Sequence, residues 1–200
     1  FKDPVMRFFN QRSCSAKMFD RDLKPGRLSY PTQATQVMMN LIDSHDTFRY
    51  LESANGEISR LKMAVLFQMT YVGTPHIWYG DEVGMMGAHD PDCRRPFNWK
   101  YTEDSEKVAL RDYYKKLIQI RKENSCLRTG SFDTLIAEGM VYGYLRSDKK
   151  SSIAVILNND TNRNKIKVPL NSHKVINLLT RKEYPIEEGV LEVELDVMSG

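Results

Sequence analysis

The sequence is poor in cysteine, has no long apolar run and carries no marked excess of charge of either sign. Only three cysteines, Cys14, Cys93 and Cys126, occur in 200 residues. An odd number at wide spacing excludes a disulfide framework, and the three are read as free thiols. No C-x-x-C pair is present, so no structural zinc site is expected and no metal is assigned to this chain. No apolar stretch approaches the ~20 residues needed to span a bilayer, so no membrane partner is expected. The first residues, Phe1-Lys2-Asp3-Pro4, lack the apolar core of a signal peptide. Lysine and arginine number 29 against 26 acidic residues, a net charge of +3. That balance is too weak to call for nucleic acid, and the densest basic group (Arg94, Arg95, Lys100) is interrupted by Pro96 and Trp99.

What is present is ordinary globular composition, 41% hydrophobic and 28% charged, arranged in two different grammars. Residues 1–35 are irregular, with short apolar pieces broken by charges and by Pro25-Gly26. The run Val37–Ile42 predicts a strand buried on both faces, as in a parallel sheet, and it ends in the polar cluster Asp43-Ser44-His45-Asp46-Thr47. Helical spacing of Ile58, Leu61, Val65 and Met69 predicts a helix over 57–72, with Gly73 as its stop. Pro75–Tyr79 predicts a second strand ending in Gly80-Asp81-Glu82, which completes a βαβ unit. A long loop follows to Trp99, and then an amphipathic helix over 105–124 with Val108, Tyr113, Leu117 and Ile120 on one side. Beyond about residue 130, short strands at Leu135–Ala137, Val141–Leu145, Ile153–Leu157, Lys165–Val168 and Leu191–Leu195 alternate with turn residues. That pattern points to an antiparallel β-sandwich.

Polar residues at the C-terminal ends of parallel strands face ligands in βα architectures. Two such clusters stand here: His45 and Asp46, followed by Arg49, and Asp90 with Arg94. Two carboxylates, an imidazole and two guanidiniums suit a polyhydroxylated substrate, whose hydroxyls both donate and accept hydrogen bonds. A fixed carboxylate also opposes positive charge developing in a transition state. From these residues alone a second reading stays open, in which Asp46–Arg49 and Asp90–Arg94 are ion pairs that brace loops. His89, next to Asp90, is a further candidate for the cleft lining. Asp81-Glu82 is read as a structural turn, His76 as a core histidine, and His173 as a surface residue. Trp78 and Tyr79 are expected mostly in the core.

Three blocks carry a resemblance. Asn40-Leu41-Ile42-Asp43-Ser44-His45-Asp46-Thr47 resembles the seventh-strand region of the α-amylase family of glycoside hydrolases. Gly73–Met85 resembles its eighth-strand region, and Gly87–Trp99 resembles the loop that follows. The Ser-His-Asp form is most similar to the neopullulanase and cyclomaltodextrinase branch. The resemblance implies the C-terminal part of a (β/α)8 TIM barrel over residues 1–128, with strands 7 and 8. A small β-sandwich, expected to be truncated, follows over 129–200. It further implies that Asp46 is the carboxylate that stabilises the transition state and that His45 binds the same glucose ring. Asp90 and Arg94 would hold glucose on the non-reducing side of the cut, while Arg49 braces the loop.

The same resemblance implies a retaining α-glucan hydrolase acting on maltooligosaccharides, cyclodextrins or pullulan. The family's nucleophile and general acid belong to motifs that this chain does not contain, and Asp20 and Asp22 are not promoted to fill the gap. The chain by itself is therefore expected to be inactive. Two alternatives stand beside hydrolysis: a glucan transglycosylase using the same residues, and a non-catalytic glucan-binding module. No cofactor is assigned to this chain. Calcium in the longer protein stays open, because many relatives bind it through a segment that would lie upstream. Self-association through uncovered apolar surface is a further expectation, as is a bacterial cytoplasmic or periplasmic location.

Overall fold

A computed structural model describes all 200 residues. The irregular N-terminal third is more helical than its sequence advertises. A short helix, α1 (Lys2–Val5), runs into a π-turn over Met6–Asn10. Helix α2 (Ala16–Leu28) follows, capped by the Ser15 side chain, which accepts from Met18 N at 3.3 Å. Pro25 lies inside α2; its fixed φ suits a helix even though it gives up one donor. Tertiary contacts carry the helix past Pro25-Gly26. Arg27 donates to the Tyr71 hydroxyl at 2.9 Å and lies over the Phe132 ring at 4.2 Å.

The predicted strand over 37–42 is shorter than expected. Helix α3 (Thr32–Val37) takes its first residue, and β1 is only Met39–Leu41. Nor is β1 buried on both faces, because Met39 is 59% exposed while Asn40 is buried. Its one hydrogen-bonded neighbour is β2 (Thr74–His76), parallel to it with Met39 opposite Thr74 and Leu41 opposite His76. Between them, beyond the single turn of α4 (Tyr50–Ser53), helix α5 (Ile58–Thr70) forms the crossover. From Met63 to Thr70 every residue of α5 is buried, so this helix has no solvent stripe and runs through the core rather than along its surface.

The end of α5 shows how the sequence fixes the βαβ unit. The last carbonyls of any helix lack intrahelical donors. Here Arg121 donates to the carbonyls of Met69, Tyr71 and Gly73, and Arg146 donates to that of Thr70 at 2.6 Å. Gln68 Nε2 donates to both Asn40 O and His76 O at 2.9 Å, tying the helix to the two strands. Gly73 has φ +109°, and a Cβ there would meet Asn40 Nδ2 at 2.6 Å and Met38 O at 2.7 Å. Only glycine fits that junction.

Helix α6 (Ser105–Glu123) is capped by Asp104, which accepts from the backbone of Glu106 and Lys107. Its buried face is Leu110, Tyr114, Leu117 and Ile120. Val108 and Tyr113, expected on that face, are only half-buried. A short α7 (Ser125–Thr129) leads through Gly130 to an antiparallel sheet of β3 (Ser131–Glu138), β4 (Val141–Ser147) and β5 (Ser152–Asn158), with β4 central. Two further antiparallel pairs follow. One is β6 (Asn164–Pro169) with β9 (Val190–Leu195); the other is β7 (Lys174–Ile176) with β8 (Glu183–Pro185). The last two strands, three residues each, are too short for alternation to announce them.

Strand β4 is buried on both sides. Tyr142 and Tyr144 enter the main core with Phe8, Phe19 and Phe67, whereas Val141 packs with Ile166, Val168 and Leu191. Asp20 of α2 fastens this sheet to the helices. It accepts from Thr134 Oγ1 at 2.8 Å and from the Tyr142 hydroxyl at 2.9 Å, and pairs with Lys24 and Arg27. Burial works against its charge, but these hydrogen bonds and the Arg27 guanidinium outweigh burial and hold its carboxyl below the usual aspartate range. Asp20 is thus a structural hub between α2 and the sheet.

Asp20→Ala leaves the Arg27 guanidinium unpaired in the interior and is expected to destabilise the chain by about 3–5 kcal/mol. A group whose folded-state pKa is depressed stabilises above its unfolded value and loses that contribution as pH falls through its folded value. The gap between wild type and Asp20→Asn in urea midpoint should therefore be full at neutral pH and should close below about pH 4. A gap independent of pH would reject the hub.

Candidate active site

Both candidate clusters leave the C-terminal ends of β1 and β2 and meet there. After β1 the chain buries Ile42 and Asp43, then turns outward. Ser44 N donates to Thr47 Oγ1 at 3.1 Å, and Asp46 N to Ser44 Oγ at 3.3 Å. Short hydroxyl side chains of this kind close tight polar turns. The turn leaves His45 and Asp46 exposed and adjacent, with His45 Nε2 at 3.1 Å from Asp46 Oδ2. The His45 ring leans on Trp78, centroid to centroid 5.7 Å.

The loop after β2 supplies the rest. Arg94 Nε lies 2.8 Å from Asp90 Oδ1, and its Nη2 lies 3.5 Å from Asp46 Oδ1. Arg94 Nε also donates to the His45 carbonyl at 3.2 Å, as does the buried Cys93 thiol at 3.1 Å. One guanidinium therefore contacts both carboxylates and the backbone between His45 and Asp46. His89 is exposed and stacks edge-on against Phe48, centroids 4.2 Å apart.

Arg49 stands apart from this group. It is fully buried beneath it, donating to Tyr79 O at 2.8 Å and Asp81 Oδ1 at 3.3 Å, with its guanidinium over the Tyr79 ring at 4.9 Å. Its own N–H donates to Gly87 O at 2.9 Å, joining the two loops through their backbones. The loop-bracing reading is thus half right. Asp90–Arg94 is an ion pair, but Arg49 braces through Asp81 and leaves Asp46 to His45 and Arg94. Asp81 and Glu82 form the expected structural turn, with Glu82 Oε2 accepting from Gly80 N at 2.8 Å. Trp78, Tyr79 and His76 are half-buried, and His173 is exposed.

Sequence reasoning passed over two groups. Asp43 follows directly on an apolar run and accepts from Tyr50 N at 2.6 Å while nearly inaccessible. Its carboxyl group lies close to that of Asp81. Burial raises both carboxyls above the ordinary aspartate range, and proximity to Asp43 raises Asp81 further. The other group is Cys93, an unremarkable thiol by spacing. The signal available for Asp43 was a carboxylate directly after Ile42, where the chain is still leaving the core.

Comparison with known proteins fixes the lineage. Residues 1–112 match the model of the alpha amylase catalytic domain. The chain belongs to the alpha-amylase family. It is 46% identical over 161 residues to a cyclomaltodextrinase of Thermoanaerobacter pseudethanolicus, a match covering 80% of this chain and 28% of that protein. It is 39% identical over 205 residues to neopullulanase 2 of Thermoactinomyces vulgaris, covering 100% of this chain and 35% of the relative. Among solved structures, a cyclomaltodextrinase superposes with a TM-score of 0.87 at 36% identity, covering 98% of this chain and 34% of the other. The chain thus spans about a third of the length of these alpha-amylase family relatives. Its mixture of helices and strands is that of part of the family fold. No helix is long and apolar enough to cross a membrane.

Removing Arg49 strands the buried Asp81 beside Asp43. Arg49→Ala is expected to cost about 3–5 kcal/mol. Arg49→Lys should recover only part of this, because the compact, strongly hydrated ammonium replaces a planar guanidinium that lies over the Tyr79 ring. Urea unfolding at unchanged m-value checks both; a lysine variant as stable as wild type would contradict the contribution of the ring contact.

Proposed function

We propose that this chain is part of a retaining α-glucan hydrolase of the alpha-amylase family. In this reading β1 and β2 are the seventh and eighth strands of a (β/α)8 barrel whose C-terminal part is residues 1–128. Residues 129–200 form a separate small β-sandwich, its two layers being the β3–β5 sheet and the β6–β9 pair. The observation that carries the reading is the convergence of His45, Asp46, Asp90 and Arg94 at the ends of two parallel strands. The names of the relatives, cyclomaltodextrinase and neopullulanase, support cyclodextrins, maltooligosaccharides or pullulan as the substrates.

In this reading each side chain has its own work. Asp46 is exposed, yet His45 and Arg94 hold it from two sides, so its charge is oriented before substrate arrives. A preoriented carboxylate stabilises a ring that gains positive charge more than it stabilises the resting sugar, and so lowers the barrier. The His45 imidazole, steadied by Trp78, donates to a hydroxyl of the same ring. Asp90 and Arg94 present one acceptor and one donor to the neighbouring glucose. A retaining glycosidase also needs a nucleophilic carboxylate and a carboxylic acid about 5 Å apart. Those groups come from elsewhere in the longer protein, and the isolated chain performs no hydrolysis. Calcium, if the longer protein binds it, is held by other residues as well.

In the longer protein Asp46→Asn is expected to lower kcat about 10²–10³-fold, in the range of losing one preorganised transition-state contact, with KM changed only a few-fold. Equal losses in kcat and in substrate affinity would reject the transition-state role. Product analysis with an added glucose acceptor separates hydrolysis from transglycosylation. Reducing-sugar turnover by the 200-residue chain alone would overturn the division of the site.

We also propose that the isolated chain self-associates. Leu28, Tyr30, Val37 and Met39 are each more than half exposed within a short stretch of chain. A patch of that kind favours contact between copies. Sedimentation should show a mass rising with concentration, and Val37→Ser with Met39→Ser should suppress it.

A further inference from the structure

Beneath the exposed cluster lies a buried polar layer whose hydrogen bonding does not close if every acid is ionised. Asp43 and Asp81 are 1% and 3% exposed. Tyr50 N satisfies Asp43 Oδ2 and Arg49 Nη1 satisfies Asp81 Oδ1, while Arg49 Nε and Nη2 are buried and find no acceptor. The remaining oxygens, Asp43 Oδ1 and Asp81 Oδ2, are buried and have no donor, although the two carboxyl groups are within hydrogen-bonding reach of each other. An unsatisfied buried carboxylate oxygen is costly, and two ionised carboxylates side by side in the interior are more so.

The surroundings do not supply a second positive charge at contact distance. Arg49 is the one cation in contact with the pair. Lys2 from α1 acts on Asp43 only through its field, and Glu82 adds negative field at Asp81. Tyr50 from α4 and Tyr114 from α6 bring hydroxyls that are buried without partners, and Arg60 acts on Tyr50. One guanidinium balances one carboxylate, so the arrangement calls for one negative charge on the pair.

We propose that Asp43 and Asp81 share a single proton, and that this hydrogen bond clamps the ends of β1 and β2 together and so positions His45 and Asp46. Asp43 lies three residues before Asp46, and Asp81 three residues after Trp78, on which His45 leans. The clamp acts through these short backbone spans; neither aspartate touches substrate. The proposal deepens the glucan-hydrolase reading and rests on it for its kinetic arm, but the proton itself is read without activity.

The test uses the longer enzyme with Asp43→Asn, Asp43→Ala and the double variant Asp43→Asn/Asp81→Asn. In Asp43→Asn the side-chain amide reproduces the protonated carboxyl: its oxygen accepts from Tyr50 N and its NH2 donates to Asp81. This single variant should fold and keep kcat within about threefold at pH 6. The wild type holds a proton in the folded state that it releases on unfolding. Its unfolding equilibrium should therefore shift toward the unfolded state by up to about tenfold per pH unit, as pH rises from the ordinary aspartate range to the raised value of the pair. Asp43→Asn should lose that slope, together with the infrared carbonyl band of a protonated carboxylic acid. Asp43→Ala and the double variant should lower kcat about 100-fold with little change in KM, since they disturb the placement of Asp46 rather than ground-state binding. Parallel pH profiles for wild type and Asp43→Asn, or no protonated-acid band in the wild type, would overturn the shared proton. Unchanged kcat in Asp43→Ala would overturn the positioning. A wild type inactive on glucans would reject the hydrolase reading instead, while the stability and infrared arms still decide the proton.

Discussion

A buried helix must find donors for its last carbonyls, and helix α5 finds them on other elements. Arg121 reaches across from α6 and Arg146 from β4, and neither has a carboxylate partner; their hydrogen bonds go to carbonyl oxygens. Burial and the neighbouring arginines Arg146 and Arg128 push Arg121 down to about 10, still charged at neutral pH. This end of α5 fixes where β2 begins, and Gln68 fixes β1 against β2. The register of those two strands decides which residues stand at their ends. The candidate site is therefore set in part by interactions along and behind the two strands, away from the exposed side chains at their ends.

Charge around the site is stratified. His45, Asp46, Asp90 and Arg94 keep about half or more of their side-chain surface exposed, so each can exchange water for a ligand at low cost. Directly beneath, Arg49, Asp81 and Asp43 are sealed from solvent and must satisfy one another. On the proposed reading the upper layer recognises the sugar, and the lower layer holds that layer in place. The Arg49 guanidinium of the lower layer lies over the Tyr79 and Trp78 rings, a cation–π contact that helps to fix it.

Much of this was legible in the sequence because its signals are local. The two parallel strands, the crossover helix, α6 and five of the later strands follow from periodicity and turn residues. The polar residues that end the strands announce the site by type. The rest was hidden for physical reasons. Helix α2 passes through Pro25-Gly26 because Arg27 and Asp20 find partners more than a hundred residues away in sequence, in β3 and β4. The buried face of α6 is rotated by one position, from Tyr113 to Tyr114, because the packing of Leu110 and Leu117 sets it. The partner of Arg49 could not be chosen from spacing: Asp46 is three residues away, but the turn at Ser44 points it outward, while Asp81 arrives from the next strand. Met39 reads as core and is exposed, since a strand's burial depends on what lies beside it as well as on its own sequence.

Gly87 and Cys93 are two fixed points in the loop that carries Asp90. Gly87 accepts from Arg49 N, and a Cβ there would meet Asp92 O at 2.7 Å and Cys93 Cα at 3.0 Å. Cys93 is buried with its thiol on the His45 carbonyl. The five residues between them form an arch pinned at both feet. Asp92 closes the arch from within, accepting from Ala88 N at 2.7 Å and pairing with Arg95. The length of the arch is therefore fixed, because an inserted residue would have to lift one foot from the floor.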